Sequence, residues 1–106
     1  MSEIEIAPQE VDQMRKSGAD VVLIDVREPW EHSTARIEGS TLIPMRQVQE
    51  RVSEIPTDKP VVVHCHHGGR SLQVVRWLRQ NGIEAHNMTG GIDRWSVEVD
   101  PNVPRY

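Results

Sequence analysis

One cysteine, three histidines, two glycines, an arginine and a serine stand within eight consecutive residues, His64-Cys65-His66-His67-Gly68-Gly69-Arg70-Ser71. A thiol in such company can act as a nucleophile, provided that its thiolate is stabilised. Gly68 and Gly69 permit a tight loop whose amide N–H groups turn inward, making an anion-binding nest at the positive end of a following helix. A thiolate at the first position of that loop shares those dipoles, so its pKa is expected below the ~8.5 of a free cysteine. Arg70 follows Cys65 by five positions. Its rigid fork of donors can return toward an oxyanion held over the loop, whereas as a mere first-turn cation it opposes the helix dipole.

Other roles for the cysteine have to be weighed. A single cysteine forms no internal disulfide, which leaves a buried filler, a metal ligand or a reactive thiol. His64, His66 and His67, with His32 and His86 elsewhere, could supply nitrogen ligands. Their contiguous run lacks the paired spacing on two elements that closed metal sites show. They are read as solvated loop histidines that modulate the charge of the nest, and no metal is expected.

The loop needs a strand before it and a helix after it. Val61-Val62-Val63-His64 is a fully apolar strand that delivers the chain to Cys65, where ligands bind in open α/β sheets. Arg70 to Gln80 carries Leu72, Val75 and Leu78 on one helical face, and Asn81-Gly82 stops it. Upstream, Glu3 to Ile6 alternates like an edge strand, and Pro8 opens a helix that Ser17-Gly18 ends. Val21 to Val26 is a second buried strand, and Glu28 to His32 a short helical turn. Thr41-Leu42-Ile43 is a short strand closed by Pro44. Met45, Val48, Val52 and Ile55 then fall at helical spacing over Met45 to Glu54. Ile83 to Met88 reads as the last strand. Gly90-Gly91 precedes a final short helix through Trp95, before a proline-rich tail. Strands alternating with helices predict an α/β fold, a central parallel five-stranded sheet with helices on both faces.

The chain has 106 residues, room for one domain over 1–106. It lacks Phe altogether, so aliphatic runs and Trp30, Trp77 and Trp95 must supply the core and its rim. A formal net charge of −4 excludes a general nucleic-acid binder. The apolar runs Val21 to Ile24 and Val61 to Val63 fall far short of the ~20 residues that span a bilayer, and no basic-then-apolar segment opens the chain. A soluble, cytoplasmic protein is expected, with no membrane partner, as a monomer or weak dimer because no apolar stripe is left over.

At this point the loop resembles that of the rhodanese family, six residues from Cys to Arg with Gly at the fourth position, matched by Cys65, Gly68 and Arg70. Asp25-Val26-Arg27-Glu28 with Glu31-His32 is similar to the family's first signature. Gly39 with Ile43-Pro44 resembles its middle segment, and Gly90-Gly91 with Trp95 its closing one. The tail from Asp100 to Tyr106 is similar to tails on rhodanese domains linked to sulfur-carrier activation. The sequence departs in having His66 and His67 where a basic residue often follows the cysteine, and in Ala35 to Gly39.

The resemblance implies a sulfurtransferase of the thiosulfate type, in which Cys65 takes sulfane sulfur from thiosulfate or a protein persulfide and passes it to cyanide or a thiol. No cofactor is needed. Arg70 would neutralise the donor's oxyanion, with His66, His67, Gly68, Gly69 and Ser71 completing the substrate-binding set. Asp25, Arg27 and Glu28 are read as an ion-pair cluster fixing the loop, and Met45 and Arg46 could border the pocket. Two rivals stay open. One is a cysteine phosphatase or arsenate reductase, whose loop normally holds five residues between Cys and Arg against four here. The other is a non-catalytic rhodanese-like module, against which the intact Cys65 and Arg70 count.

Overall fold

The computed structural model describes residues 3–106; the first two residues of the expected domain lie outside them. In chain order the elements are β1 (Glu5–Ile6), α1 (Pro8–Lys16), β2 (Val22–Asp25), α2 (Pro29–Thr34), β3 (Thr41–Leu42), β4 (Val61–His64), α3 (Gly69–Gln80), β5 (Ala85–Met88) and α4 (Gly91–Glu98), with two 3₁₀ turns at Met45–Gln47 and Val52–Glu54. The strands form one five-stranded sheet in the order β1-β5-β4-β2-β3, and every pairing is parallel. The expected α/β architecture is therefore the observed one.

Alternation along the two apolar strands explains the layering. Ile24, Val61 and Val63 point into one buried cluster with Val74, Val75 and Leu78 of α3. Leu23 and Val62 point into the opposite cluster with Val11 of α1 and Ile92 and Trp95 of α4. Each strand is covered on both sides, which is why it carries no polar face. Register then brings Asp25 beside His64 at the carboxyl ends of β2 and β4, the edge from which the cysteine loop leaves.

Two expectations are corrected and a third is narrowed. The segment from Met45 to Glu54 is not an α-helix. Its apolar spacing suits tighter turns equally well, and the amides of Val48 and Ile55 bond back three residues, to Met45 and Val52. The buried face of α3 is Ser71, Val74, Val75 and Leu78, with Leu72 only half-buried. Trp30 supplies no core: it is 63% exposed and lies at the rim, edge-on to the Tyr106 ring with centroids 5.9 Å apart. Among the described residues no helix is long and apolar enough to cross a membrane.

Candidate functional site

Cys65 sits where β4 gives way to the loop, and the residue is 1% exposed. The chain reverses at Gly68, whose φ of 111° is left-handed and suits glycine. Its amide donates to Cys65 Sγ at 3.0 Å, and Ser71 Oγ lies 3.3 Å from the same sulfur. Gly69 begins α3, so Arg70 and Ser71 occupy its first turn.

The amides point inward because the carbonyls are tied outward. Ile92 N–H donates to Cys65 O at 2.9 Å and Asp93 N–H to His66 O at 3.1 Å, so the otherwise unpaired amides of the first turn of α4 grip the loop. In a planar trans peptide the N–H opposes the C=O, which turns the amides of His66 and His67 toward the cup. Burial pushes the Cys65 thiol up, but the Ser71 hydroxyl and the amides of Ser71, Gly68 and His67 outweigh it and bring the thiol below its ordinary value.

Arg70 is held by a carboxylate across the loop. Its Nη1 and Nη2 donate to the two oxygens of Glu31 at 2.7 and 3.0 Å. Arg70 with the Glu28 amide and the Tyr106 hydroxyl holds the Glu31 carboxyl down at about 2 against burial. Glu31 faces the loop because Pro29 opens α2 and a capping box fixes its first turn, with Glu28 N–H donating to Glu31 Oε1 at 2.9 Å.

Of the ion-pair cluster expected at Asp25, Arg27 and Glu28, the first two pair beneath the loop and Glu28 stands apart from them. Arg27 is fully buried, and its Nε and Nη2 each donate to an Asp25 oxygen at 2.8 Å. It also donates to Ala35 O at 2.6 Å and to the Tyr106 hydroxyl at 2.8 Å. That hydroxyl donates in turn to Glu31 Oε2 at 2.7 Å. Arg46, expected near the pocket, pairs with Glu28.

The histidines separate. His66 is half-buried and stacked between neighbours, 3.9 Å from the His67 ring and 4.0 Å from that of Tyr106. Burial and the His67 beside it push its pKa down. His67 is exposed, 4.0 Å from Asp93, whose carboxylate is gripped by Arg105 at 2.9 Å. Ligand atoms of His66, His67 and Asp93 lie within 4.8 Å of one another, a grouping not evident in the sequence. His64 corrects the reading of a solvated histidine: it is wholly buried, and burial pushes it down to about 4.

Sequence reasoning passed over Tyr106 and Asn87. Asn87 had a visible signal, a polar side chain that continues the alternate apolar row of Ile83 and Ala85, and it is 2% exposed in the fold. Its side chain meets Ser71 Oγ, Gly68 O and Glu5.

The loop and the sheet order define the class. Residues 7–98 match the family model of the rhodanese-like domain, and the chain belongs to that family. It is 42% identical over 89 residues to the chloroplastic rhodanese-like/PpiC domain-containing protein 12 of Arabidopsis thaliana, covering 79% of this chain but only 30% of that protein's length. It is 34% identical over 91 residues to the thiosulfate sulfurtransferase GlpE of Pseudomonas aeruginosa, covering 85% of this chain and 81% of that one. The crystal structure of a rhodanese-related protein from Thermoplasma volcanium superposes with a TM-score of 0.84 at 31% identity, covering 92% and 94% of the two chains.

Proposed function

We propose that this chain is a sulfurtransferase that carries sulfane sulfur on Cys65 as a persulfide, from a small donor such as thiosulfate or from a protein persulfide. The observation that carries this reading is the convergence of the His67, Gly68 and Ser71 amides and the Ser71 hydroxyl on Cys65 Sγ. Such a nest stabilises a thiolate without a base. It also stabilises the anionic outer sulfur of a persulfide, much as an oxyanion hole stabilises oxygen. A thiol as little exposed as this one, at 1%, suits a donor with a single projecting sulfur atom.

The steps balance without a cofactor. The Cys65 thiolate attacks the outer sulfur of thiosulfate, the S–S bond of the donor breaks, and sulfite leaves with the electron pair. An acceptor such as cyanide then takes the outer sulfur as thiocyanate and the thiolate returns. Because Glu31 neutralises Arg70, the amide nest rather than a free guanidinium is assigned the binding of the anion.

The test is an intact mass taken after incubation with thiosulfate, without reductant, and again after cyanide. Wild-type protein should gain one sulfur and lose it to cyanide, and Cys65→Ser should gain none. No adduct with thiosulfate or with a protein persulfide would remove this reading. Cys65-dependent hydrolysis of a phosphate ester would replace it with the phosphatase one, and silence in both assays would leave a binding module.

A further inference from the structure

Asn87 is placed so that only one orientation of its amide satisfies its neighbours. Its Nδ2 lies 3.2 and 3.1 Å from the two carboxylate oxygens of Glu5 and 3.2 Å from Gly68 O. Glu5 is itself steadied by the Thr89 hydroxyl, which donates to it at 2.8 Å. A carboxylate and a carbonyl only accept, so the nitrogen faces them and Oδ1 faces Ser71 Oγ, its hydrogen-bond partner. Oδ1 has no proton to give, and the Ser71 hydroxyl therefore donates to Asn87.

A hydroxyl has one proton. While it points at Asn87, Ser71 Oγ presents lone pairs to Cys65 Sγ, 3.3 Å away. That arrangement accepts a bond from a neutral S–H and repels a thiolate. Ionisation of Cys65 requires the proton to swing from Asn87 to sulfur, leaving Oδ1 unpaired in a buried place.

We propose that Asn87, locked by Glu5, is a positioning residue that makes the Ser71 hydroxyl a rotor between the amide and the sulfur of Cys65. The inference rests on Cys65 being the nucleophile of sulfur transfer. In the thiol form the hydroxyl is held by Asn87; when the S–H proton leaves to solvent, the O–H turns to the thiolate. When the outer sulfur of a persulfide takes up the negative charge, Sγ becomes a neutral divalent atom and the O–H turns back. No bond to hydrogen breaks in the rotation. Against burial, which raises the thiol, the turned hydroxyl is the strongest of the groups that lower it.

The test reads the thiol without any sulfur donor, so it succeeds or fails separately from the persulfide assay. Rates of iodoacetamide alkylation of Cys65 are measured against pH in wild-type protein and in Asn87→Ala, which removes Oδ1 and leaves the sulfur as the partner of the Ser71 hydroxyl. The alkylation midpoint is expected to fall by about half a unit to one unit, the equivalent of one ordinary hydrogen bond. In the Ser71→Ala background the same substitution should produce no shift. An equal shift in both backgrounds would mean that Asn87 acts on the loop through Gly68 and not through the hydroxyl, and would overturn the rotor; so would no shift in either. If Asn87→Ala does not fold, Asn87→Leu, which also lacks Oδ1, takes its place, and if Ser71→Ala does not fold, Ser71→Gly does.

Discussion

The phenol ring of Tyr106 lies flat on the imidazole of His66, ring centroids 4.0 Å apart and planes 8° from parallel. The contact joins the tail to the cysteine loop. The same tyrosine reaches below through its hydroxyl, accepting from Arg27 and donating to Glu31. Burial pushes its own pKa up to about 12, so the phenol keeps its proton and its donor role across the working pH range. One side chain thereby holds the loop, the buried Arg27 and the first turn of α2 in fixed relation.

Tyr106→Phe and Tyr106→Ala separate the two contributions. The phenylalanine variant keeps the stack and is expected to lose about 2 kcal/mol, because both hydrogen bonds lost go to charged groups. The alanine variant also uncovers His66 and should lose about 3 to 4 kcal/mol in urea unfolding. Cys65 should be alkylated faster in the alanine variant alone. Equal rates in both variants would show that the ring does not shield the loop.

The Glu31–Arg70 pair makes stability depend on acid. Glu31 titrates from an ordinary 4.5 down to about 2 in the fold, so between those values the unfolded chain binds the extra proton. The stabilisation is complete above pH 4.5 and is lost as pH falls through 2. Glu31→Gln should therefore be about 2 kcal/mol less stable at pH 7, the range for hydrogen bonds to charged groups. The gap to wild type should close as unfolding is repeated toward pH 2. A constant gap would assign the loss to packing.

Much of this was legible along the chain because it is local. Val61 to His64, the glycine-bearing turn and the helix after it are contiguous, so apolar runs and chain-breaking residues marked strand, loop and helix. The segment after Pro44 was ambiguous for a physical reason: apolar residues three and four apart suit an α-helix or successive 3₁₀ turns. The partners of the site residues were hidden by distance along the chain. Arg70 meets Glu31 39 residues away, and Asn87 meets Glu5 82 residues away. The loop identified Arg70 as a cation near the site, but only the fold shows that α2 has already supplied its counter-ion.

His64 should weaken the fold in mild acid. It is neutral and wholly buried, its pKa pushed from 6.5 to about 4 by burial against the attraction of Asp25. The unfolded chain takes its proton first, so stability is full above pH 6.5 and falls as pH drops toward 4. The loss from pH 7 to pH 4 is about 3 kcal/mol if His64 alone titrates. His64→Phe, which has no proton to take up, should flatten unfolding free energy over that window. An unchanged slope would place the effect on another group.

Gly91 tests whether α4 shapes the loop. Its φ is 61°, and a Cβ there would stand 2.5 Å from Cys65 O and overlap His66 O as well. Neither carbonyl can retreat freely, because each accepts from the next amides of α4, Ile92 and Asp93. Gly82 provides the comparison: its φ is 80°, with nothing within 4 Å of an added Cβ. Gly82→Ala should carry only the left-handed strain, about 1 to 2 kcal/mol. Gly91→Ala should add the cost of overpacking, for a total of about 3 kcal/mol or more. Moving those carbonyls also turns the loop amides off the sulfur, so the Cys65 alkylation midpoint should rise in Gly91→Ala and stay put in Gly82→Ala. If both variants lose the same stability and neither moves the midpoint, the amides of the loop are held by the loop itself and not by the helix behind it.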